Sequence, residues 1–204
     1  MNEYLFMLPI ILALLLGVLS PGPSFFLVAQ TAMSKSRKDA LFISFGMGIG
    51  AMIFALIAMS GLYVMIQTSA LLYSILKICG GLYLLYLAYK ILTSTKSLDT
   101  PQKATLHVSQ KKYFITGLLT QLSNPKTAII IGSIFAAFLP KEIPDYSIVL
   151  LCFIAFILDT GWYSIVAILL STKKAQKTYI NYKKFINIAS SIFIIFIAIK
   201  LFIN

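Results

Sequence analysis

The sequence predicts an all-α integral membrane protein with six transmembrane helices, arranged as two inverted three-helix repeats. Three observations carry that prediction. The chain of 204 residues is 59% hydrophobic and 11% charged, against about 25% charged residues in a soluble domain. Its basic residues concentrate in every second connection between apolar segments, the pattern of cytoplasmic loops. Two helix-breaking clusters, Leu19-Ser20-Pro21-Gly22-Pro23 and Leu122-Ser123-Asn124-Pro125-Lys126, each interrupt the first apolar segment of one half.

A helix of about 20 apolar residues crosses a bilayer. The first such segment, about Tyr4–Met33, lacks a basic n-region and a small-residue cleavage site, so it reads as a retained helix rather than a signal peptide. The second, about Ala40–Ile66, holds Gly46, Gly48 and Gly50. Gly46 and Gly50 form a G-x-x-x-G pattern that lets helices approach closely, and packing is the preferred reading over ligand contact. The third, about Ser69–Leu92, carries Gly80-Gly81 to the same effect. The fourth to sixth are expected at about Tyr113–Phe138, Tyr146–Ser171 and Phe185–Phe202. Period-2 alternation is absent, which excludes barrel strands.

The net charge of +11 raises nucleic acid as a partner, but its distribution excludes it. Lys35, Arg37 and Lys38 fall in the first connection; Lys90, Lys96, Lys103, Lys111 and Lys112 in the third; Lys173, Lys174, Lys177, Lys183 and Lys184 in the fifth. The second connection is uncharged, and the fourth sets Lys141 against Glu142 and Asp145. The charge is therefore a topology signal, with some attraction to anionic lipid, and both termini are expected outside. Cys79 and Cys152 lie within apolar segments, making neither a disulfide nor a metal site, and His107 reads as a solvated loop residue. No metal or other cofactor is expected.

Three spans per half make the second half inverted relative to the first if the halves are related. The chain is then one transporter domain: repeat one about 1–92, a loop about 93–112 and repeat two about 113–204. Matched interrupted segments in two halves are the best sequence pointer to a transporter's substrate site. Proline breaks a helix by removing an N–H and clashing one turn back, and the freed carbonyls need a polar cavity or buried partners. Ser20, Pro21, Gly22, Pro23 and Ser24 therefore form either an unwound stretch touching a polar solute or a simple bend. In the second break, Asn124 and Pro125 precede Lys126, a cation midway along its segment whose insertion costs about 2.5–3.5 kcal/mol. Lys126 is suited to a substrate carboxylate, or else to a structural ion pair. Asp159, the one carboxylate deep in an apolar segment, is suited to pair with Lys126, hold a substrate ammonium, or exchange a proton.

These residues also carry a resemblance. Ser20-Pro21-Gly22-Pro23, Gly46-x-x-x-Gly50, Gly81-x-Tyr83-Leu84-x-x-Leu87 and Gly117-x-x-x-Gln121-x-x-Asn124-Pro125-Lys126, with Asp159 and Trp162, are similar to the LysE/RhtB amino-acid exporters. The resemblance implies a six-helix bacterial inner-membrane carrier that expels amino acids using the proton gradient. It departs from members that export lysine or arginine, which often carry an Asp after the second-helix glycine and another after the Asn-Pro. Here those regions read Gly50-Ala51 and Asn124-Pro125-Lys126-Thr127-Ala128, which favours a neutral substrate of the homoserine, threonine or leucine kind. Partners are then the amino acid, membrane lipid and protons, with a homo-oligomer left open. A metal exporter fits poorly with one intramembrane Asp, and an enzyme lacks a nucleophile–base pair. A passive channel stays open as an alternative, since polar backbone also lines pores.

Overall fold

The computed structural model describes residues 6–93, 109–140 and 144–203; Lys96, Lys103, His107, Lys141 and Glu142 lie outside them. Eight helices run through the described residues: α1 (Met7–Leu19), α2 (Pro23–Ser34), α3 (Arg37–Thr68), α4 (Ala70–Leu92), α5 (Gln110–Leu122), α6 (Pro125–Phe138), α7 (Asp145–Leu169) and α8 (Lys173–Ile203). Four of them, α3, α4, α7 and α8, are long and apolar enough to cross a membrane, and the bent pair α1–α2 makes a fifth candidate. The expected fourth span is divided between α5 and α6. Of that pair, α6 is apolar but has only 14 residues, and the 13-residue α5 opens on Gln110-Lys111-Lys112.

Local chemistry sets the helix ends. Both Pro23 and Pro125 stand at the first turn of a helix, where the missing N–H costs nothing. Asn124 caps α6, its side chain accepting from the Lys126 N–H at 3.1 Å. Ser36 caps α3: the Asp39 N–H donates to Ser36 Oγ at 3.1 Å, and that hydroxyl donates to Asp39 Oδ2 at 2.7 Å. One expectation is corrected here. The residues from Lys173 to Lys184, read as a loop, form the first turns of α8. Lys, Ala and Gln are good helix formers, so polarity there marks exposure to water or headgroups rather than a break.

The bundle is built around α3, which packs most extensively on α5 and α7, while α4 pairs with α8. Its glycines work on two faces. A Cβ on Gly46 would run into the Phe114 carbonyl of α5, and one on Gly117 into the Ile43 carbonyl of α3. A Cβ on Gly48 would strike Thr160 and Phe156 of α7. These contacts bring backbones together, the use of small residues where no hydrophobic effect drives association. Between α4 and α8, Asn187 Nδ2 donates to the Ile91 carbonyl and Ser191 Oγ to that of Ala88, both at 3.1 Å. Large apolar side chains remain on the outside of α4, α7 and α8, among them Leu71, Val149, Phe153, Ile192 and Phe196. On a membrane protein that is the surface lipid covers.

Basic residues gather at one end of this bundle. Arg37 donates to Ser171 Oγ from Nε at 3.4 Å and Nη2 at 3.3 Å, joining the α2–α3 turn to the α7–α8 turn. Since Gly46 meets Phe114 and Gly50 meets Gln121, α3 and α5 run in parallel and their first turns also lie together. Lys35, Lys38, Lys111, Lys112 and Lys174 thus share an end.

Candidate functional site

The two breaks meet in the interior. Residues Ser20–Gly22 are non-helical and separate α1 from α2, whose axes differ by 55°. Ser123 and Asn124 separate α5 from α6. Each break leaves helix-terminal backbone groups without intrahelical partners, and the two supply them to each other. The Lys126 ammonium, buried with the residue 8% exposed, donates to the Ser20 carbonyl just past the end of α1. A cation there meets the negative end of the α1 dipole. Its side chain lies across Gly22, where a Cβ would approach Lys126 Cδ to 2.9 Å.

A chain of side-chain hydrogen bonds ties the same break to α7. Asn124 Nδ2 donates to Ser24 Oγ at 2.9 Å, Ser24 Oγ donates to Gln121 Oε1 at 2.6 Å, and Gln121 Nε2 donates to Asp159 Oδ2 at 2.9 Å. Asp159 is 6% exposed and Gln121 fully buried. Tyr163, one helical turn beyond Asp159, closes the group against Ser24. Beside this relay the Ser20 hydroxyl is buried and unpartnered, which costs about 1–3 kcal/mol.

Lys126, Asp159, Tyr163 and Thr127 line one cavity of about 40 Å³ with Gly17, Ala51 and apolar residues of α1, α6 and α7. At about 10–15 Å³ per water, that is room for a few waters, so this conformation is contracted. Lys126 and Asp159 face the same space without a direct salt bridge: one is held by Ser20, the other by Gln121.

Of the residues the sequence singled out, Lys126 and Asp159 line this cavity, while Ser20, Gly22, Ser24 and Asn124 stand behind it where the two breaks meet. Pro23 and Pro125 are exposed at helix starts and shape the breaks from outside. Pro21 is buried but faces a different groove, between α1, α2, α7 and α8. Gln121 and Tyr163 were not among the expected site residues. Their signal was spacing: Gln121 and Asn124 are three apart, as are the neighbours on one helix face, and Tyr163 is four beyond Asp159. Among the described residues no three His, Cys, Asp or Glu side chains are grouped to hold a metal ion.

One prediction follows from the cap. Asn124→Ala removes both the acceptor for the Lys126 N–H and the donor to Ser24, and should lower stability by about 1–2 kcal/mol. Thermal unfolding in detergent, followed by the fluorescence of the sole tryptophan, Trp162, reads this; an unshifted midpoint counts against the cap's role.

The chain is 34% identical over 180 residues to a threonine efflux protein of Salmonella typhi, covering 85% of each sequence. It is 31% identical over 176 residues to a threonine efflux protein of Escherichia coli K12, again covering 85% of each. An uncharacterized membrane protein of Haemophilus influenzae is 29% identical over 196 residues, 93% of each chain. No solved structure matches. Residues 15–204, which include both breaks, Lys126 and Asp159, match the family of LysE type translocators, and the chain belongs to that family.

Proposed function

We propose that this translocator exports a neutral amino acid of the threonine or homoserine kind across the bacterial inner membrane, driven by the proton gradient. The observation that carries the reading is the meeting of the two helix breaks at Lys126, which shares one cavity with Asp159. Lys126 and the N-termini of α2 and α6 present positive charge to a carboxylate. When the cavity opens, the first break and Asn124 supply polar backbone and side-chain contacts. Asp159, as the cavity's only carboxylate, serves the ammonium or carries the proton. A cationic side chain would add a second positive charge beside Lys126, which favours a neutral one. The threonine efflux proteins among the relatives agree with that class.

The mechanism proposed is rocking of two inverted three-helix halves, with α1–α2 and α5–α6 each counted as one interrupted span and both termini outside. The packing α3 on α7 and α4 on α8 supports it, since a pseudo-twofold axis relating the halves pairs the second span with the fifth and the third with the sixth. The shared basic end supports a cytoplasmic placement of the α2–α3 and α7–α8 turns.

The test is efflux from proteoliposomes loaded with labelled threonine. An imposed proton gradient should accelerate exit several-fold, and a protonophore should abolish the acceleration. Faster exit of lysine than of threonine would overturn the neutral class. Exit indifferent to the gradient would overturn proton coupling, and failure to drive threonine uphill would return the passive channel.

A further inference from the structure

A second and much larger space lies between α1, α2, α7 and α8. It encloses about 670 Å³ and is walled largely by apolar side chains, including Leu16, Ile165, Leu169, Ile186 and Phe193. Lys174, exposed near the start of α8, stands at the basic end of the bundle with Thr172 and Thr178. Trp162 and Tyr179 also form part of the wall, and the indole Nε1 and the phenol oxygen are both buried without a hydrogen-bond partner. Tyr179 packs on Phe25 of α2, ring centroids 4.9 Å apart, and is held in place there.

We propose that this groove is a binding site for an anionic diacyl phospholipid, with one acyl chain in the apolar trough and the phosphate on Lys174 at its basic end. The trough suits an acyl chain, and Lys174, exposed at its basic end, suits the phosphate. Lys177, Lys183 and Lys184 on the same helix extend the positive field that draws an anionic headgroup. The groove also includes Pro21 and Phe25, so its occupant touches the first helix break.

Trp162, the chain's single tryptophan, is a built-in probe. The protein is reconstituted in phosphatidylcholine vesicles containing rising fractions of phospholipid with brominated acyl chains, which quench tryptophan on contact. Brominated phosphatidylglycerol should quench at about a fivefold lower mole fraction than brominated phosphatidylcholine, the effect of one lysine at a membrane surface. Lys174→Gln should remove that preference, and Lys38→Gln, at the same end but outside the groove, should keep it. Ala189→Phe, filling the trough, should weaken quenching by both lipids. Equal quenching by the two lipids in the parent protein overturns the proposal, as does a preference that survives Lys174→Gln. Relief of quenching by added threonine at constant lipid would also overturn it, assigning the groove to the substrate's path.

Discussion

Asp159→Asn should reduce gradient-driven threonine efflux from proteoliposomes to background while leaving threonine counterflow measurable. Asparagine has nearly the same shape and can still accept from Gln121 Nε2, so the relay from Asn124 through Ser24 and Gln121 survives. What disappears is a group that can gain and lose a proton in the cavity. Counterflow exchanges substrate without net charge or proton movement, whereas uphill efflux needs the coupled ion. Lys126→Ala should act on both assays, lowering each about 10- to 100-fold, the magnitude of a lost charged hydrogen bond of about 1.5–3 kcal/mol. It also exposes the end of α1, because the Ser20 carbonyl loses its donor. Uphill efflux at the parent rate in Asp159→Asn would remove Asp159 from the coupling mechanism. Counterflow untouched by Lys126→Ala would remove Lys126 from the substrate site.

Gly46→Val and Gly117→Val should each leave little folded protein, with destabilisation of at least about 3 kcal/mol. Overpacking a core usually costs about 1–3 kcal/mol because neighbouring side chains rotate away. Here the obstacles are carbonyl groups, Phe114 O facing Gly46 and Ile43 O facing Gly117, and backbone yields only if the helices separate. Separation of α3 and α5 would also pull Gln121 from its place, since Gly50 meets the Gln121 side chain at 2.7 Å from a Cβ. Gly61→Ala in the same helix is the control: nothing lies within 4 Å of a Cβ there, and replacing a mid-helix glycine gains about 0.5–1 kcal/mol. Monodisperse Gly46→Val with the parent's unfolding midpoint in detergent would show that the crossing tolerates separation.

Much of the fold was legible because hydropathy and helix breakers act locally. The spans of α3, α4 and α7 begin and end within a few residues of their expected limits, and the breaks fall at the proline clusters. The extension of α8 back to Lys173 was not legible, because hydropathy reports which residues avoid water, not which form helices. The division of α5 from α6 was foreseen at Asn124-Pro125, but the polar face of α5 follows from burial against α3, where Gly117 rests on Ile43. Ser24 and Asp159 were singled out separately; that Gln121 bridges them depends on three helices crossing at one level.

By itself, the sequence determined that the chain is helical, lies in a membrane, gathers its basic residues in alternate connections and breaks its helices at Ser20–Gly22 and near Asn124. Each is a consequence of local chemistry: transfer cost, loop charge, and proline's missing donor. The tertiary structure alone decided that Lys126 is held by a carbonyl of the opposite break rather than by Asp159. It also decided that Asp159 is reached through Gln121, and that a lipid-sized groove opens beside the first break. Those arrangements depend on which helix faces approach, and close approach is set by glycine contacts between residues far apart in the chain.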